Sequence, residues 1–338
     1  MNGLSRPVVL IAESIGFPVS ALQVLEAVAE VKLANFDRSS LLAAVCEADV
    51  LWVRLRHHID QEVLDAGGHL RILATPTTGL THVDLDAARR RGIAVVSLQG
   101  EVELLRNIRA TAEHTIGLML ALLRRLPTAV AHVLGGGWCR DDFRGHDLFG
   151  RAVGVVGHGR LGRIVSRYLL AFGAEVLTTD PEVSPGNVEA GAQWVEMDEL
   201  LGRSEIVTLH VDVRPESRGF FDRARIRAMR RGALLVNTSR GELVDEVALH
   251  DALESGHLGG AALDVLAGEQ SEGMGHHPLV KLARAHGGLI ITPHIGGNTH
   301  ESLATVENWL AGRVVEVLGG ASEVRQSIAS VPSSIEVA

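Results

Sequence analysis

The sequence predicts an α/β protein built from two doubly wound parallel-sheet domains. Short runs of β-branched residues alternate with amphipathic helical stretches, which is the pattern of parallel strands joined by crossover helices. Of the 338 residues, 37 are glycine and only 4% are aromatic, which favours an aliphatic core with many tight turns. A chain of this length is sufficient for about two domains, each with its own core.

The first group of elements is expected to form one compact α/β domain. Its candidate strands are residues 8–12, 31–34, 50–53, 72–75 and 93–96. Amphipathic stretches at residues 20–30 and 39–46 are expected to form helices between these strands. A long helical stretch follows at residues 108–134, in which Pro127 predicts a kink or a junction between two helices.

The second group of elements starts near Leu148 and forms a second α/β domain. Its candidate strands are residues 152–156, 175–179, 206–210, 234–238, 261–265 and 289–292. A last helix at residues 302–318 carries an apolar stripe and is expected to pack back on the first domain. The predicted domains are therefore residues 1–103 with 302–330, and residues 104–301.

Composition and charge disfavour several classes of protein. The net charge of −9 offers no basic excess for a nucleic-acid backbone, and two cysteines cannot form a disulfide framework. No metal site is predicted, and the pairs His57–His58 and His276–His277 are expected to be solvated loop residues. No apolar run approaches ~18 residues and no signal-peptide pattern is present, which predicts a cytoplasmic protein without a membrane span.

A glycine motif follows the first strand of the second group. Gly157, Gly159 and Gly162 stand in a G-x-G-x-x-G arrangement between a buried strand and an amphipathic helix. In such a turn the first glycine permits a tight bend, the second lets a pyrophosphate approach, and the third lets helix and strand pack closely. The helix N-terminus favours an anion. The motif therefore predicts a dinucleotide-binding site.

The next candidate strand ends in Asp180, where a carboxylate can accept hydrogen bonds from the hydroxyls of the adenosine ribose. The same charge repels a 2′-phosphate, and the following Pro181 and Glu182 add no cation. The sequence therefore predicts NAD rather than NADP as the cofactor. Arg160, inside the glycine loop, is expected to face the pyrophosphate without reversing this preference.

Arg240, Glu269 and His294 each lie just beyond a different strand of the second group. Ligands of open α/β sheets bind beyond the carboxyl ends of the strands. An arginine suits the carboxylate and carbonyl of a 2-oxo acid, and a histidine can protonate the carbonyl oxygen as a hydride arrives. A neighbouring carboxylate stabilises the imidazolium. This set predicts hydride transfer between a nicotinamide cofactor and a 2-oxo acid.

Together these segments resemble the D-isomer-specific 2-hydroxyacid dehydrogenases. The likeness is carried by GHGRLG…D, LLVNTSRGELVDEVAL, GAALDVLAGE, ITPHIGG, ATAEHTIGLMLALLRRL and TTGLTHVDLDAARRRGIAVV. The segments follow the family's order and are similar to those of 3-phosphoglycerate dehydrogenases, with the subfamily unresolved. The resemblance implies a flavodoxin-like substrate (lid) domain, a Rossmann NAD-binding domain and a homodimer formed through the connecting helices. It implies an NAD-dependent oxidoreductase that interconverts a 2-oxo acid and its D-2-hydroxy acid.

The resemblance also implies roles for individual residues. Arg240 corresponds to the substrate-binding arginine, His294 to the acid/base and Glu269 to its partner. The implied cofactor contacts are Gly157, His158, Gly159, Arg160, Leu161, Gly162, Asp180, His210, Thr238, Ser239 and Asp264, the last at the nicotinamide end. The implied substrate contacts are Arg54, Thr78, Gly79 and Arg240. Arg54 ends the third early strand, a position from which 3-phosphoglycerate dehydrogenases reach substrate.

The substrate loop departs from the family pattern, since the usual G-x-G-x-D-N is TTGLTH at residues 77–82. Thr78 stands where phosphite dehydrogenases carry a lysine, and Glu269 stands where formate dehydrogenases carry a glutamine, which disfavours both substrates. A phosphonate or sugar-acid dehydrogenase of the same family stays open, as does a non-catalytic NAD-sensing protein like the family's corepressors. For Arg106 and Arg109, pairing with acids or with another subunit is favoured over a substrate contact.

Overall fold

The computed structural model describes residues 6–269 and 273–319. The end of the predicted first domain, residues 320–330, lies outside the described residues. The chain divides into two compact units. The first unit contains the residues up to Leu105 and those from His300 onward, and the second unit is Arg106–Thr299.

The first unit is built on a five-stranded parallel sheet. Its strands are β1 (Val8–Ile11), β2 (Glu30–Leu33), β3 (Val50–Trp52), β4 (Ile72–Ala74) and β5 (Ala94–Val96). The helices between and after them are α1 (Val19–Glu26), α2 (Arg38–Ala44), α3 (Gln61–Ala66), α4 (Leu85–Arg90) and α5 (Val102–Leu105). The strands lie in the order β2-β1-β3-β4-β5, which is the flavodoxin-like order.

Local sequence explains both the strands and the helix starts of this unit. β3 and β4 are buried at every position, as parallel strands covered on both faces require. Helices α2, α3 and α4 follow Asp37, Asp60 and Asp84, whose side chains each accept a hydrogen bond from a backbone N–H in the first turn. These caps satisfy N–H groups that have no partner within the helix, and so fix where the helices begin.

The second unit is built on a seven-stranded parallel sheet. It begins with α6 (Ala110–Leu123) and α7 (Leu126–Leu134). Its strands are β6 (Ala152–Val156), β7 (Glu175–Thr179), β8 (Ala192–Trp194), β9 (Ile206–Leu209), β10 (Leu234–Asn237), β11 (Gly260–Leu263) and β12 (Leu289–Ile291). Its later helices are α8 (Arg160–Ala171), α9 (Met197–Arg203), α10 (Arg223–Ala228), α11 (Glu246–Glu254) and α12 (Pro278–Ala285). The strand order β12-β11-β10-β9-β6-β7-β8 is that of a Rossmann fold, so the predicted fold class is confirmed.

The sequence analysis missed one strand of this sheet, β8. It has three residues, and Gln193 at its centre is exposed. The strand pairs with β7 at the edge of the sheet, with Val176 opposite Ala192. A three-residue strand with a polar centre shows neither an apolar run nor a long alternation, so the prediction of six strands was wrong.

The helical stretch predicted at residues 108–134 consists of two helices. Arg125 separates α6 from α7 and adopts the left-handed conformation, with φ of 53°. Pro127 lies in the first turn of α7, where its missing N–H needs no partner. The helical segment 102–123 meets α7 at a bend of 64°. Taken together, these two segments are the only pair among the described residues that is long and apolar enough to be a membrane-span candidate. No single helix there passes the same criterion.

The last helix, α13 (His300–Gly319), belongs to the first unit and packs against α1. Its buried face joins the core formed with β1 and β3 through Leu310, Ala311, Val314 and Val315. Glu307 lies on the same buried face and is fully inaccessible to solvent. A charged residue therefore occupies a position that the apolar periodicity of this helix does not reveal.

Two of the four histidines predicted in solvated loops are not solvated. His57 is only 6% exposed, and burial, followed by the nearby Arg56 cation, lowers its pKa. His277 is partly buried and lies 3.1 Å from the Glu246 carboxylate through Nε2. The prediction was wrong for these two because a histidine doublet in sequence does not indicate which ring packs inward.

Candidate active site

The carboxyl ends of six neighbouring strands carry the residues that the sequence singled out in the second unit. In sheet order these strands are β12, β11, β10, β9, β6 and β7. β12 is followed by His294, β11 by Asp264 and Glu269, β10 by Thr238, Ser239 and Arg240, β9 by His210, β6 by the glycine loop, and β7 by Asp180. Since parallel strands end at one edge of the sheet, the topology gathers these residues along that edge.

The glycine loop has the geometry that a pyrophosphate site needs. Gly157 has φ of 90°, and a Cβ there would lie 2.4 Å from the carbonyl oxygen of His210. A Cβ at Gly162 would lie 2.0 Å from the carbonyl oxygen of Gly157, so neither position accepts a side chain. Gly159, in contrast, has open space around it and caps α8 without a side-chain hydrogen bond. The first-turn N–H groups of α8 can therefore receive an anion.

The polar side chains of this loop are engaged with the protein. His158 is buried, with Nδ1 donating to Thr178 Oγ1 at 3.0 Å and Nε2 accepting from the N–H of Glu189 at 3.2 Å. Only backbone atoms of His158 are left to contact a cofactor. Arg160 donates through Nη1 to the carbonyl oxygen of Ile108 at 3.0 Å. Sequence analysis did not indicate that partner, and a pyrophosphate contact by Arg160 stays a prediction.

Asp180 follows β7 and binds back to the glycine loop. Its Oδ2 accepts from the N–H of His158 at 2.7 Å, and its Oδ1 accepts from the N–H of Glu182 at 2.8 Å. A carboxylate oxygen can accept more than one hydrogen bond, so these two contacts orient the group without exhausting it. Leu161, at the start of α8, is partly buried. It packs against the apolar layer between α8 and the sheet and helps to define the shape of the loop.

His294 and Glu269 form a hydrogen-bonded pair at the same edge. The Nδ1 atom of His294 contacts Oε1 of Glu269, and the two side chains are 19% and 20% exposed. Glu269 Oε2 also accepts from the N–H of Leu266 at 3.3 Å, which helps to fix the carboxylate. Because the carboxylate holds Nδ1, the ring atom that can give or take a proton is Nε2.

Asp264 holds the loop that carries His294. Its carboxylate accepts hydrogen bonds from Thr292 Oγ1 at 2.6 Å, the N–H of Ile295 at 2.9 Å and the N–H of Gly296 at 2.7 Å. Its carbonyl oxygen accepts from the N–H of His294 at 2.8 Å. These bonds keep His294 at φ of 54°, in the left-handed region that residues other than glycine rarely adopt.

The Asp264 carboxylate stays charged although it is 1% exposed. Burial by itself raises the pKa of Asp264, but hydrogen bonds from His114, Thr292 and two backbone N–H groups outweigh burial and lower it. His114 Nε2 lies 3.3 Å from Asp264 Oδ1 and 3.1 Å from Thr292 Oγ1. Sequence analysis missed both His114 and Thr292, although Thr292 lies two residues before His294. The nicotinamide contact implied for Asp264 stays a prediction.

Arg240 follows β10 and is available for an anion. A Cβ at the next residue, Gly241, would lie 2.0 Å from the carbonyl carbon of Leu266, so this loop packs directly on the one that leads to Glu269. Nη1 of Arg240 donates to the carbonyl oxygen of Ser239 at 2.7 Å. No carboxylate of the described residues lies within the 4.0 Å ion-pair distance of its guanidinium.

Thr238 and Ser239 bind to neighbouring elements of the second unit. Thr115 Oγ1 donates to the carbonyl oxygen of Thr111 at 2.7 Å, so the Thr238 hydroxyl is the donor in its 2.8 Å contact with Thr115 Oγ1. Ser239 Oγ donates to the carbonyl oxygen of Leu209 at 2.8 Å. Both hydroxyls therefore have protein acceptors, and their cofactor contacts stay predictions.

His210 follows β9 and stays neutral. Burial, followed by the proximity of His158, lowers the pKa of His210 to about 3. Its Nε2 lies 3.0 Å from Thr208 Oγ1, whereas its buried Nδ1 has no hydrogen-bond partner among the described residues. The backbone of His210 packs against Gly157. A buried polar ring atom without a partner on this residue fits a loop whose hydrogen bonds are completed by a ligand.

The predicted substrate loop of the first unit lies between β4 and α4. Thr77 Oγ1 donates to the carbonyl oxygen of Gly79 at 2.9 Å and lies 3.1 Å from Thr75 Oγ1. Thr75 Oγ1 also lies 3.2 Å from Nε2 of the buried His82. Thr78 is exposed at the surface of this unit. Sequence analysis selected Thr78 and Gly79 and missed the Thr75–Thr77–His82 network that shapes the loop.

A cavity of about 560 Å³ lies at the opposite edge of the second sheet. Its lining includes Ile206, Leu234, Gly259 and Gly288, which lie at the amino ends of β9, β10, β11 and β12. Ligands of open α/β sheets bind at the carboxyl ends, so this cavity is separate from the candidate site. Within the described ranges, no cluster of three or more His, Cys, Asp or Glu side chains is arranged to hold a metal ion.

Comparison with known proteins identifies the family. Residues 116–296 match the NAD binding domain of the D-isomer specific 2-hydroxyacid dehydrogenases. The chain is 40% identical over 301 residues to D-3-phosphoglycerate dehydrogenase of Mycobacterium tuberculosis, covering 88% of this chain and 54% of that protein. It is 30% identical over 290 residues to hydroxypyruvate reductase of Thermotoga maritima, covering 86% and 91%. D-lactate dehydrogenase from Aquifex aeolicus, solved with NAD and lactic acid, matches with a TM-score of 0.80 and 27% identity over 95% and 98% of the two chains.

The chain spans about half the length of the curated D-3-phosphoglycerate dehydrogenases that it matches, since the shared part is 52% to 58% of them. The matched NAD binding domain contains the glycine loop, Arg240, Glu269 and His294. The resemblance stated from the sequence is confirmed: the chain belongs to the D-isomer specific 2-hydroxyacid dehydrogenase family.

Proposed function

We propose that the protein is an NAD-dependent oxidoreductase that interconverts a 2-oxo acid and its D-2-hydroxy acid. The observation that carries this proposal is the His294–Glu269 pair, which lies at the sheet edge shared by Arg240 and the glycine loop. This edge offers a proton donor, a carboxylate-binding cation and a dinucleotide cradle, which are the groups that hydride transfer to a 2-oxo acid needs.

The second unit fits NAD. Gly157, Gly159 and Gly162 form the pyrophosphate-binding loop at the start of α8. Asp180 accepts hydrogen bonds from the ribose hydroxyls of the bound cofactor. When bound, NAD supplies or takes up the hydride that the reaction exchanges. In this proposal the second unit is the cofactor-binding domain and the first unit is the substrate domain.

His294 handles the proton. Its Nδ1 is held by Glu269, so Nε2 gives a proton to the substrate oxygen during reduction and takes one back during oxidation. Glu269 stabilises the imidazolium. Asp264 fixes the loop and its strained backbone, so it acts on the reaction by positioning His294.

Arg240 binds the substrate carboxylate. Arg240 follows β10, and its neighbour Gly241 packs on the loop that leads to Glu269. The Arg240 guanidinium carries no ion-pair partner among the described residues. A planar guanidinium can donate two parallel N–H groups to a carboxylate, which fixes the substrate's orientation as well as its position.

The direct test is NADH consumption with glyoxylate, hydroxypyruvate, pyruvate, oxaloacetate, 2-oxoglutarate and phosphohydroxypyruvate. Turnover of at least one 2-oxo acid is expected. Tight NADH binding without turnover of any of them would contradict the proposal and would favour a non-catalytic NAD-sensing protein.

The proposal includes a homodimer formed through α7. No residue of α7 is buried in the single chain. Its apolar side chains Val130, Val133 and Leu134 are 56%, 48% and 83% exposed. Trp138, just after this helix, is 89% exposed. An exposed apolar helix face of this kind is typical of an interface between subunits. The cytoplasmic location expected from the sequence stays a prediction.

Replacement of Glu269 by glutamine is expected to move the pH optimum for 2-oxo acid reduction to lower pH. The imidazolium of His294 loses the negative charge that stabilises it, so the active proton donor is lost at a lower pH. The measurement is kcat against pH. Glu254→Gln, an exposed substitution on α11, is the control, and an unchanged profile in Glu269→Gln would remove Glu269 from the mechanism.

Replacement of Asp180 by alanine is expected to reduce the preference for NADH over NADPH about tenfold or more. The carboxylate opposes a 2′-phosphate, and tenfold corresponds to about 1.4 kcal/mol of lost discrimination. The measurement is kcat/KM for each cofactor, with the exposed Asp251→Ala as the control. Equal use of NADH and NADPH by the unmodified protein would show that Asp180 does not decide the preference.

A further inference from the structure

The cavity at the amino ends of β9, β10, β11 and β12 concentrates positive charge. It is lined by five arginines from three separate segments: Arg125, Arg144, Arg151, Arg230 and Arg231. These segments are the junction of α6 and α7, the stretch that leads into β6, and the turn between α10 and β10. Glu205 is the single carboxylate among the described residues that line the cavity. Since the whole chain has a net charge of −9, this positive charge is a local feature and not part of a generally basic surface.

Two of the five arginines have carboxylate partners. Nη1 of Arg151 contacts Oε2 of Glu205, so the carboxylate of the lining is already engaged. Nη2 of Arg144 lies 3.6 Å from Oδ1 of Asp141, but both side chains are exposed and solvent weakens their attraction. Neither carboxylate is therefore available to balance the remaining arginines.

The other three arginines have no acidic partner in the described part of the chain. No carboxylate there lies within 4.0 Å of the guanidinium groups of Arg125, Arg230 and Arg231. Arg125 and Arg230 each donate through Nη1 to a backbone carbonyl oxygen, at 2.6 Å and 3.3 Å, which leaves their charge in place. The C-terminus of α6, whose Leu122 and Leu123 line the cavity, contributes only about half a negative charge. The protein therefore leaves most of this positive charge unbalanced.

The wall of the cavity is fixed by backbone contacts. The backbone N–H of His146 donates to the carbonyl oxygen of Leu123 at 2.9 Å. A Cβ at Gly145 would lie 2.4 Å from the same oxygen, so the loop that carries Arg144 packs closely on the end of α6. A site whose walls are already in place loses little conformational entropy when a ligand binds.

The size and the lining of the cavity indicate the class of ligand. Its volume of about 560 Å³ lies within the range of about 300–1,000 Å³ that is usual for small-molecule sites. Guanidinium groups match the geometry of phosphate oxygens. One phosphate monoester carries about −1.5 to −2 charges, which is less than three unpaired arginines can balance. Two phosphate groups on one small molecule fit both the charge and the volume.

We propose that this cavity is a binding site for a small anion with two phosphate groups. Inorganic pyrophosphate and an organic bisphosphate share this chemistry. The site lies at the amino edge of the second sheet, and the described residues that line it do not include Arg240, Glu269, His294 or the glycine loop. The inference therefore goes beyond the proposed function and does not depend on it.

The test is isothermal titration calorimetry with inorganic pyrophosphate and with fructose 1,6-bisphosphate. The protein is saturated with NADH beforehand, so that the pyrophosphate-binding glycine loop is occupied. At about 0.15 M salt, at least one of the two probes is expected to bind with one equivalent per chain and a Kd below about 1 mM. Tighter binding of fructose 1,6-bisphosphate would identify the organic form of the ligand, for which the aliphatic Leu122, Leu123, Ile206 and Leu234 of the lining offer contacts.

Substitutions of the arginines locate the binding site. Arg230→Gln combined with Arg231→Gln removes two unpaired charges from one turn and is expected to raise the Kd about tenfold or more. Arg227→Gln, an exposed change on α10 outside the lining, is the matched control and is expected to leave the Kd unchanged. Arg240→Gln is expected to leave it unchanged as well, which separates the cavity from the catalytic edge.

Absence of binding of both probes to the unmodified, NADH-saturated protein would overturn the inference, and this result decides even if the double variant does not fold. An unchanged Kd in a folded double variant would overturn it too. Loss of binding in Arg240→Gln but not in the double variant would place the anion at the catalytic edge and contradict the proposed site. The melting temperature of each variant verifies that it is folded.

Discussion

Replacement of His294 by asparagine is expected to lower kcat about 10²- to 10⁴-fold, the usual contribution of a positioned general acid or base. Asparagine cannot release a proton at the place of Nε2. It tolerates the left-handed backbone conformation that His294 adopts better than most residues do, so the loop held by Asp264 is expected to survive. Affinity for NADH is expected to stay nearly unchanged, because no part of the glycine loop is altered.

The measurements are kcat from NADH consumption and the Kd of NADH from a fluorescence titration. His250→Asn on α11, a histidine beside Glu254, is the matched control and is expected to be fully active. Retention of more than about one-tenth of the turnover by His294→Asn would exclude His294 as the proton donor. A parallel loss of NADH affinity would indicate that the variant has damaged the site as a whole.

Replacement of Arg240 by lysine is expected to lower kcat/KM for the 2-oxo acid about 10- to 100-fold. A charge-assisted hydrogen bond contributes about 1.5–3 kcal/mol, and lysine replaces a two-pronged contact with a single point of charge. Because no carboxylate of the described residues pairs with Arg240, the change breaks no ion pair of the protein itself. The loss is therefore expected to appear in substrate binding and orientation.

The measurement is the split between KM and kcat for the best 2-oxo acid, with the Kd of NADH as a second readout. Arg223→Lys is the control, since Arg223 is exposed on α10 and pairs with Asp251. Activity of Arg240→Lys within about twofold of the unmodified enzyme would show that bidentate binding by Arg240 is not needed.

Most of the fold could be predicted because it rests on local patterns. The buried strands β3, β6 and β10 are apolar runs bounded by turn residues, and the alternation with helices implies parallel sheets. The edge strand β8 could not be predicted, since three half-exposed residues give no periodic signal. The junction at Arg125 was only suggested by Pro127, because the left-handed residue itself carries no sequence mark.

The candidate site divides in the same way. Gly157, Arg240 and His294 could be selected because strand ends and glycine spacing are visible in the sequence. The contacts that position them could not, since they join distant segments: His114 on α6 reaches Thr292 178 residues later. The ion pair between Arg54 Nε and Oε1 of the buried Glu307, 2.5 Å apart, is a similar case, because a lone glutamate on the apolar face of α13 gives no indication of its partner. The substrate contact implied for Arg54 stays a prediction.

The central claim is that a 2-oxo acid is reduced at the Arg240–His294 edge to a D-2-hydroxy acid at the expense of NADH. The most direct measurement is chiral chromatography of the product formed from NADH and the best 2-oxo acid. The account predicts the D-2-hydroxy acid in an amount equal to the NADH consumed, and its loss in His294→Asn. Formation of the L isomer, or NADH consumption without any 2-hydroxy acid, would contradict it.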